Sequence, residues 1–403
     1  MNHPRQSSED LRLVWVYNAP VVSTLAATSR LAVTEGLRNA GWQVILVAEG
    51  AAGRRCVRGV EVLCIPKPGV YLLGHCLFHL RLVALLAQEW SNTDVVLFHQ
   101  MSAPWILPLR LIRRLIGGSG PMLVMDTRDV SQRPYDARGR LRTMYYDFAH
   151  RLANSWADGQ TAITRRMAEW KQIPSDQLWG TWPSGVDAED FLSVYAARAW
   201  PSGREPIHMV YVGALLPERN LVPLCHAVHQ ANTRQMAFSL EVVGDGPHRS
   251  ALEQAAQQAG ERVRVVPAVP HHQVPALLAA AHVGVVSLPD PGDQKFRVSS
   301  PIKLFEYMAA GLPILATRNV CYTDVMDSRG FAFWSESASV EDLFAALCNV
   351  WRGRGALKDM GFKAAAVASQ WTWTESARRL DGSLRGGLDS AYLAPSRVSE
   401  YSG

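Results

Sequence analysis

The chain of 403 residues lacks the features that mark membrane-spanning, disulfide-rich and zinc-binding proteins. It has no apolar run of about eighteen residues or more, the length that a membrane-spanning helix needs. Its N-terminal segment has no apolar run either, so we expect no secretory signal. Its six cysteines are scattered and form no Cys-x-x-Cys pair, which favours reduced thiols over disulfides or a zinc site. We therefore expect a cytoplasmic protein.

Strong charge and common cofactor motifs are also missing. The net charge is +5, and no basic run with interleaved aromatic residues predicts a nucleic-acid-binding face, so we expect no nucleic-acid partner. The Gly-Asp-Gly-Pro segment at residues 244–247 lacks the third glycine of a dinucleotide fingerprint, which disfavours a hydride-transfer enzyme. No Asp-x-Asp metal motif occurs in the strands predicted below, which is consistent with our expectation of no bound metal and no other cofactor.

Segments typical of buried strands alternate with helical segments along both halves of the chain. In the first half the pattern predicts strands at 11–17, 43–48, 60–65, 94–99, 122–125 and 159–164, and helices at 25–39, 77–90 and 141–156. In the second half it predicts strands at 208–213, 239–244, 263–266, 283–288 and 313–316. Strands separated by helices predict an α/β fold with a parallel, doubly wound sheet in each half. Ligands of such sheets bind beyond the carboxyl ends of the strands, here in a cleft between the halves.

The boundary between the halves is predicted from composition. Residues 196–206 are polar and contain proline, as linkers often do. We therefore assign residues 1–195 to an N-terminal Rossmann-like domain and residues 196–370 to a C-terminal one. Residues 371–403 form a final segment, and its Gly/Ser-rich part after about Gly386 is predicted to be disordered.

The most informative segment spans residues 299–316 and predicts a loop, a short helix and a buried strand. Ser300 can cap a helix, and Pro301 suits its first turn. Lys303 and Glu306 are three residues apart and therefore share one helix face. A helix N-terminus with a lysine suits a phosphate, and a carboxylate one turn later suits a sugar hydroxyl. An ordinary core helix would explain the apolar positions of this segment but not the Lys/Glu pair.

This segment, Ser-Pro-Ile-Lys-Leu-Phe-Glu-Tyr-Met-Ala-Ala-Gly, resembles the nucleotide-sugar loop of the family 4 (group 1) glycosyltransferases, in the branch with a Ser-Pro-x-Lys-Leu-Phe-Glu-Tyr motif. Residues 210–221 are similar to the family's Val-Gly-Arg-Leu-x-x-x-Lys-Gly segment, and residues 240–247 to its strand followed by Gly-Asp-Gly-Pro. Residues 182–191 resemble the segment before its interdomain linker, and residues 371–376 resemble the segment where its chain crosses back to the first domain. The resemblance implies the GT-B fold, in which two Rossmann-like domains face each other across a cleft.

The resemblance also implies a donor site in the second half. Arg219 falls at a lysine position of the family and is expected, with Lys303 and Glu306, to be catalytic. The expected nucleotide-sugar-binding residues are Gly213, Gly244, Gly246, Ala268, Val269, Arg297, Ser299 and Ser300. Two alternatives remain from the residues themselves. Arg219 could be a solvent-facing residue at a helix start, and the glycines of 244–247 could serve only a tight strand–helix turn.

Candidates for the acceptor side lie in the first half, where polar residues follow buried strands. They are His99, Asp126, Arg128 and Asp129. His99 ends a Val-Leu-Phe strand, and a core or capping histidine is an alternative to an acceptor contact. The Asp-Thr-Arg-Asp run at 126–129 could equally form a structural Arg–Asp pair.

Two positions depart from the pattern of the family. Glu306 is the second of two glutamates that the family places seven residues apart, and Val298 stands at the first position. Val298 has no group that hydrogen-bonds a sugar hydroxyl. Ala214 replaces the family's usual arginine, which removes one expected contact with the diphosphate.

The function implied by the resemblance is retaining, metal-independent transfer of a hexose-type sugar. The donor would be a nucleotide diphosphate sugar and the acceptor a glycan or a lipid-linked molecule, in the synthesis of bacterial surface polysaccharide, lipopolysaccharide or glycolipid. Alternatives are a catalytically impaired nucleotide-sugar-binding protein, and a GT-B nucleotide-sugar epimerase or sucrose-type synthase.

One apolar segment, residues 104–116, is predicted to be a helix with arginines along one flank. These are Arg110, Arg113 and Arg114. Such a helix could lie on an anionic membrane, which predicts peripheral association with the inner face of the plasma membrane. The alternative is a buried helix with a solvated cationic edge.

Overall fold

The computed structural model describes residues 11–21, 25–115, 117, 120–129, 137–196 and 198–393. They form two compact units, each built on its own sheet. The first unit extends to Pro183 and includes the chain again from Trp373, and the second unit is Ser184–Thr372.

Strands and helices alternate in both units. The strands are β1 (Leu11–Pro20), β2 (Trp42–Glu49), β3 (Gly53–Val57), β4 (Val60–Ile65), β5 (Val95–His99), β6 (Met122–Thr127), β7 (Gly159–Ala162), β8 (Leu178–Thr181), β9 (Ile207–Val212), β10 (Phe238–Val243), β11 (Val263–Val266), β12 (Val283–Val285), β13 (Ile314–Thr317) and β14 (Ala332–Ser335). The helices are α1 (Leu25–Asn39), α2 (Tyr71–Glu89), α3 (Ala103–Ile106), α4 (Leu109–Leu115), α5 (Ala137–Trp156), α6 (Arg165–Trp170), α7 (Glu189–Ala196), α8 (Leu221–Thr233), α9 (Arg249–Ala259), α10 (Val274–Ala279), α11 (Gln294–Arg297), α12 (Ile302–Ala309), α13 (Val320–Met326), α14 (Val340–Arg352), α15 (Leu357–Ala368) and α16 (Trp373–Leu393).

The first unit has a sheet in the order β3-β4-β2-β1-β5-β6-β7-β8. Every neighbouring pair is parallel except β3 and β4, which form an antiparallel hairpin at one edge. Its turn residues Arg58 and Gly59 both have positive φ, as the favoured two-residue hairpin turns require. The sequence analysis did not predict β3, because an exposed edge strand has no buried face to produce an apolar pattern.

The second unit has an all-parallel sheet in the order β11-β10-β9-β12-β13-β14. Successive side chains of a strand point to opposite faces, so both faces of this sheet acquire a core. Ile207, Met209 and Tyr211 of β9 pack into the core on one face. Val210, between them, packs into the core on the other face.

The predicted elements correspond closely to the observed ones where the apolar pattern is strong. The bounds of α1, β4 and β11 are those predicted, whereas β8 and β14 were missed. The strand predicted at 283–288 ends at Val285, because the chain leaves the ladder there and the Leu288 N–H donates to the Arg219 carbonyl instead, at 3.1 Å.

The two units divide earlier in the chain than the sequence analysis placed the boundary. The Val186 N–H donates to the Trp371 carbonyl at 2.9 Å, and Val186 forms a parallel bridge with Thr372. Phe191 of α7 is buried in the core of the second unit. The segment before the polar linker is therefore held by the second unit rather than the first.

Helix α16 packs against α1 and β8 of the first unit. The indole Nε1 of Trp42 donates to Asp381 Oδ1 at 2.7 Å, and Leu384 and Leu388 are buried. The predicted disorder after about Gly386 is therefore wrong as far as Leu393, because this part of the helix contributes to the core. Residues 394–403 lie outside the described residues.

The helix predicted at residues 104–116 is two short helices, α3 and α4, because Pro108 has no N–H with which to continue one ladder. Arg113 donates to both carboxylate oxygens of Asp158, at 2.7 and 2.5 Å. Arg110 donates to the Trp156 carbonyl at 3.0 Å. The prediction of three arginines presented together to a membrane is therefore wrong. Only Arg114 is exposed and without a side-chain partner among the described residues.

The first unit carries an apolar face, defined by exposed side chains on and beside α2, α4 and α5. Among the described residues, it contains ten of the twelve exposed large apolar side chains. They are Val70, Leu72, Leu73, Leu80, Leu111, Ile112, Leu115, Leu141, Met144 and Phe148. Helix α3 packs against all three of these helices. No described helix combines the length and the hydropathy that crossing a lipid bilayer requires.

Candidate functional site

In the second sheet β9 and β12 are neighbours, and the chain continues from them toward opposite edges: β10 and β11 follow β9, and β13 and β14 follow β12. Ligands of doubly wound sheets bind at such a point, beyond the carboxyl ends of the strands. Here the loop after β9 is held to the end of β12. Arg219 Nη1 donates to Ser287 Oγ at 3.1 Å, and Asn220 Nδ2 donates to the Leu288 carbonyl at 2.9 Å. The reversal point is thus a fixed platform rather than two separate loops.

Arg219 closes a short 3-10 turn, Pro217–Arg219, just before α8. Asn220 follows it with a φ of 51°, a left-handed conformation that redirects the chain into the helix. The Arg219 guanidinium lies 5.2 Å from the Phe296 ring centroid, and its buried Nε has no hydrogen-bond partner. Arg219 is therefore fixed by one hydrogen bond and retains unused donors at the strand ends.

Lys303, in the first turn of α12, is the second cation at this point. Its Nζ lies 3.8 Å from the centroid of the Tyr211 ring and makes no hydrogen bond or ion pair among the described residues. Burial lowers the pKa of Lys303 well below its ordinary value of 10.5, and the nearby Arg219 charge lowers it further, whereas Glu306 raises it. An uncompensated ammonium beside a guanidinium attracts an anion.

The N-terminus of α12 differs from the sequence-based prediction. Pro301 itself is the N-cap residue, and no side chain caps the helix. The predicted cap, Ser300, instead accepts a hydrogen bond from the Ser184 N–H at 3.0 Å. The Ser299 hydroxyl donates to the Phe296 carbonyl at 2.9 Å. Since no side chain satisfies the first N–H groups of α12, this helix end suits an anion that lies beside Lys303.

Glu306 lies one turn further along α12 and is 6% exposed. Its Oε1 is 2.7 Å from Nε2 of His271. His271 lies in the 3-10 turn that follows the loop after β11. The sequence analysis did not single out His271, although its place just beyond the carboxyl end of a strand was a usable signal.

Gly213 follows β9 and packs against Lys303. A Cβ at this position would lie 2.6 Å from Lys303 Nζ, and the φ of Gly213 is +147°, which favours glycine. The absence of a side chain at Gly213 is therefore what allows the ammonium to lie against Tyr211.

If the nucleotide predicted from the sequence binds at Lys303, Gly213→Ala should weaken that binding about tenfold or more, because the new methyl group displaces the ammonium, a change of at least ~1.4 kcal/mol. The measurement is the dissociation constant by titration calorimetry. Gly260→Ala is the matched control, since Gly260 also has positive φ but no atom within 4 Å of its Cβ position. Equal affinities for the two variants would contradict the role given to Gly213.

The glycines of the 244–247 segment are explained by backbone packing. A Cβ on Gly244 would lie 1.9 Å from the Gly213 carbonyl oxygen, and one on Gly246 would lie 2.3 Å from that of Leu215. The Leu215 N–H also donates to the Asp245 carbonyl at 2.9 Å. This close approach supports the alternative that the turn needs its glycines for packing, and it leaves contact with a nucleotide as a prediction.

The remaining predicted donor-site residues lie in loops of the same unit. Ala268 is exposed and Val269 half-buried in the loop after β11, and Arg297 is exposed at the end of α11. Of the two departures from the family pattern, Ala214 is exposed and Val298 is 1% exposed. Val298 thus fills a core position.

In the first unit, Asp126 is held by an unpredicted set of partners. Its Oδ1 accepts hydrogen bonds from Thr161 Oγ1 at 2.8 Å and from Trp182 Nε1 at 3.0 Å. Its Oδ2 is 3.7 Å from Nη1 of the buried Arg30, which lies over the rings of Trp15 and Trp182. Asp126 is therefore part of a buried structural network.

The other acceptor-side candidates divide into two groups. Arg128 stacks 3.4 Å from the centroid of the Trp182 ring and donates to the Trp182 carbonyl at 2.8 Å. Burial lowers the pKa of Arg128 to about 9. His99 Nε2 and Asp129 Oδ2 are 3.4 Å apart, and Asp129 is exposed. Of these four candidates, the His99–Asp129 pair retains the most accessible polar group.

The sequence analysis also missed a polar cluster at the carboxyl ends of β1 and β5. Asn18 Nδ2 donates to Ser102 Oγ at 2.8 Å, and His79 Nε2 is 3.1 Å from the same hydroxyl. Burial lowers the pKa of His79 to about 4, so the imidazole is neutral near pH 7. No single segment contains these residues together, so no motif could have revealed the cluster.

Comparisons with known proteins agree on the fold. Residues 206–352 match the family model described as Glycosyl transferases group 1. The chain is 14% identical to sucrose-phosphate synthase from Thermosynechococcus elongatus, with a TM-score of 0.72 over 94% of this chain and 100% of that one. It is 14% identical to HepE from Anabaena in complex with UDP, with a TM-score of 0.66 over 93% and 100%. It is 15% identical to WaaG, a glycosyltransferase involved in lipopolysaccharide biosynthesis, with a TM-score of 0.64 over 92% and 98%. No curated protein matches the chain in sequence.

At these identities the structural likeness establishes the fold, and the predicted α/β architecture with two Rossmann-like domains is confirmed. The chain thus has the GT-B fold of these glycosyltransferases, and its second unit carries the sequence pattern of the group 1 glycosyl transferases.

Proposed function

We propose that this protein is a retaining glycosyltransferase that uses a nucleotide diphosphate sugar. The bond between the anomeric carbon of the sugar and the diphosphate oxygen breaks, and a bond to an acceptor hydroxyl forms on the same face. The proton of the acceptor passes to the leaving phosphate oxygen. The acceptor is a glycan or a lipid-linked molecule of a bacterial surface polysaccharide, lipopolysaccharide or glycolipid, and the sugar is a hexose.

The observation that carries this proposal is the Lys303 ammonium, which has no partner among the described residues. It lies against Tyr211 beside Arg219, next to the uncapped N-terminus of α12. A half-buried cation without a counter-ion is unfavourable, and a bound diphosphate supplies the missing negative charge. The match of this unit to the group 1 glycosyl transferases supports the same ligand.

The chemical role of these groups is to stabilise the charge that grows on the leaving diphosphate. Arg219 and Lys303 are fixed before the reaction begins, and so are the N–H groups of α12. Fixed donors need no reorganisation in the transition state, which makes each of them worth roughly 3 kcal/mol. We assign Glu306 to a hydroxyl of the donor, and the proposed transfer needs no metal.

The test is the thermal shift of the purified chain against a panel of UDP-, GDP- and ADP-sugars. We expect nucleotide sugars with one of the three bases to raise the melting temperature of the wild type, and we expect Glu306→Ala to reduce this rise. A wild type that no nucleotide sugar stabilises would overturn the donor site.

A second candidate is a nucleotide-sugar-binding protein that has lost transfer. It is favoured by Val298, which is buried where the family pattern has a glutamate, and by Ala214 in place of an arginine. The two functions differ in one measurement. A transferase slowly hydrolyses its donor without an acceptor, whereas a binding protein releases the nucleotide sugar intact. An epimerase of the same fold would instead change the configuration of the donor sugar.

We further propose that the apolar face of the first unit contacts an anionic lipid surface on the cytoplasmic side of a membrane. Arg114, Arg140 and Arg151, on α4 and α5, are exposed and have no side-chain partner among the described residues. Apolar side chains with nearby free cations suit the boundary between acyl chains and anionic headgroups. All six cysteines are free, which supports a reducing cytoplasmic location.

We expect the chain to sediment with vesicles that contain anionic phosphatidylglycerol, and less with purely zwitterionic vesicles. Leu115→Ser combined with Met144→Ser should reduce this binding about tenfold or more, since each buried apolar side chain contributes roughly 1.5–3 kcal/mol. Phe362→Ser is the control, because Phe362 is also an exposed large apolar side chain, at 49%, but lies in the second unit. A control variant that loses as much binding as the double variant would contradict the surface assignment.

A further inference from the structure

We propose that His271 is a positioning residue, which holds one oxygen of Glu306 so that the other receives a hydroxyl of the bound nucleotide sugar. This inference rests on the proposed function, since it concerns the selectivity of the same donor site. It assigns a role to a residue that lies outside the Ser-Pro-x-Lys-Leu-Phe-Glu-Tyr segment.

One oxygen of the Glu306 carboxylate is already in contact with His271. Nε2 of His271 is 2.7 Å from Glu306 Oε1, and the Glu306 side chain is 8% exposed. A carboxylate so deeply buried needs a donor, and the imidazole supplies one whenever Nε2 carries its proton. Glu306 Oε2 makes no hydrogen bond among the described residues.

The other oxygen, Glu306 Oε2, can accept a hydrogen bond only from a donor group of the ligand. An ionised carboxylate has no proton to donate, so Oε2 pairs with a hydroxyl or amine donor. Glu306 shares α12 with Lys303 and lies three residues further along the helix, on the same side. The proposed site for the diphosphate, at Lys303, and the proposed acceptor for a hydroxyl, Glu306 Oε2, therefore lie on the same helix.

The contact also joins two elements that are distant in sequence. His271 is in the 3-10 turn His271–Gln273, which follows the loop that contains Ala268 and Val269, and Glu306 is in α12. Rotation of the Glu306 side chain would break this contact. His271 thereby restricts the carboxylate to one orientation before a ligand arrives, which lowers the entropy lost on binding.

A merely structural role for His271 makes a different prediction. If the imidazole only satisfies a buried carboxylate, removing it lowers the stability of the fold and leaves ligand selectivity unchanged. If it orients Glu306, removing it reduces the preference for ligands that carry the recognised hydroxyl. A ratio of two affinities measured on one variant reports selectivity independently of how much of the sample is folded.

The experiment measures dissociation constants by titration calorimetry for UDP, GDP and ADP, their 2′-deoxy and 3′-deoxy analogues, and UDP-, GDP- and ADP-glucose. The proteins are the wild type, His271→Ala, His271→Gln and the control His272→Ala. His272 is exposed in the same turn and has no side-chain partner among the described residues. The melting temperature of each variant is recorded in parallel.

We expect the wild type to prefer the ligand with the hydroxyl by about tenfold or more, as for a hydrogen bond to a charged group. In His271→Ala this preference should fall below about threefold, while His272→Ala keeps it. His271→Gln, whose amide can donate at a similar reach, should restore part of it. If His271→Ala no longer distinguishes a ribose nucleotide from its deoxy analogue, the recognised hydroxyl belongs to the nucleotide. If His271→Ala no longer distinguishes the glucose conjugate from the free nucleoside diphosphate, the recognised hydroxyl belongs to the transferred sugar.

An unchanged preference in His271→Ala, with the wild type binding normally, overturns this inference and leaves the proposed function intact. So does an equal loss in His272→Ala, because it would show a general effect of the turn. A wild type that binds none of these nucleotides overturns the proposed function, and the inference fails with it.

Discussion

Lys303→Ala is expected to reduce the rate of sugar transfer, or of donor hydrolysis, at least about a hundredfold. The loss of one preorganised donor to a developing anion typically costs roughly 3 kcal/mol, which corresponds to this factor. The expected effect is large here because Lys303 makes no hydrogen bond or ion pair within the described residues, so its charge remains available to the leaving diphosphate. The measurement is the release of nucleoside diphosphate under saturating donor.

The control for this prediction is Lys358→Ala, which removes an exposed lysine from α15 of the same unit. It should leave the rate within about twofold of the wild type, since an exposed charge without an ion pair contributes little. If both variants retained the rate of the wild type, the assignment of Lys303 to the leaving group would be wrong.

The lowered pKa of Lys303 also sets the sign of a pH effect on binding. Burial and Arg219 favour the neutral amine, and a bound diphosphate favours the ammonium, so binding raises the pKa of this group. As the pH rises through the lowered pKa of the free protein, binding should weaken and take up a proton. Lys303→Arg keeps its charge throughout and should lose this dependence.

Asp158→Ala is expected to destabilise the first unit by about 3 kcal/mol, because it leaves the guanidinium of Arg113, 11% exposed, without its counter-ion. Asp158 accepts two hydrogen bonds from Arg113 and one from the Leu123 N–H at 2.8 Å. Arg110 Nε lies 3.7 Å from the same carboxylate. One side chain thus holds α4, β6 and the end of α5 together.

The measurement is urea unfolding combined with hydrogen exchange of the β6 amides, which separates the first unit from the second. Asp176→Ala serves as the control, because Asp176 is exposed in the same unit and has no side-chain partner among the described residues. Equal stabilities for the two variants would contradict the buried ion pair. The same result would mean that Asp158 does not hold Arg110 and Arg113, so that both could contact a membrane.

The strength of the local apolar pattern explains how much of the fold the sequence predicted. Strand β9 alternates its apolar side chains between two covered faces, so its position was clear from the sequence, and α1 and β4 were equally clear. The edge strand β3 was missed because its side chains are exposed on both faces, so it has no apolar pattern. The boundary before the second unit was placed too late because Val186 and Phe191 pack against residues far along the chain.

Sequence by itself determined that Lys303 and Glu306 share one helix, since their spacing depends only on local geometry. It also indicated that two largely parallel sheets form, because strands that alternate with helices pair in parallel. Only the tertiary structure decided which partner each side chain has. It paired Arg113 with Asp158, Ser300 with the Ser184 N–H, and Glu306 with His271. These contacts join residues distant in the chain, and their energy depends on burial and direction, which no local pattern contains.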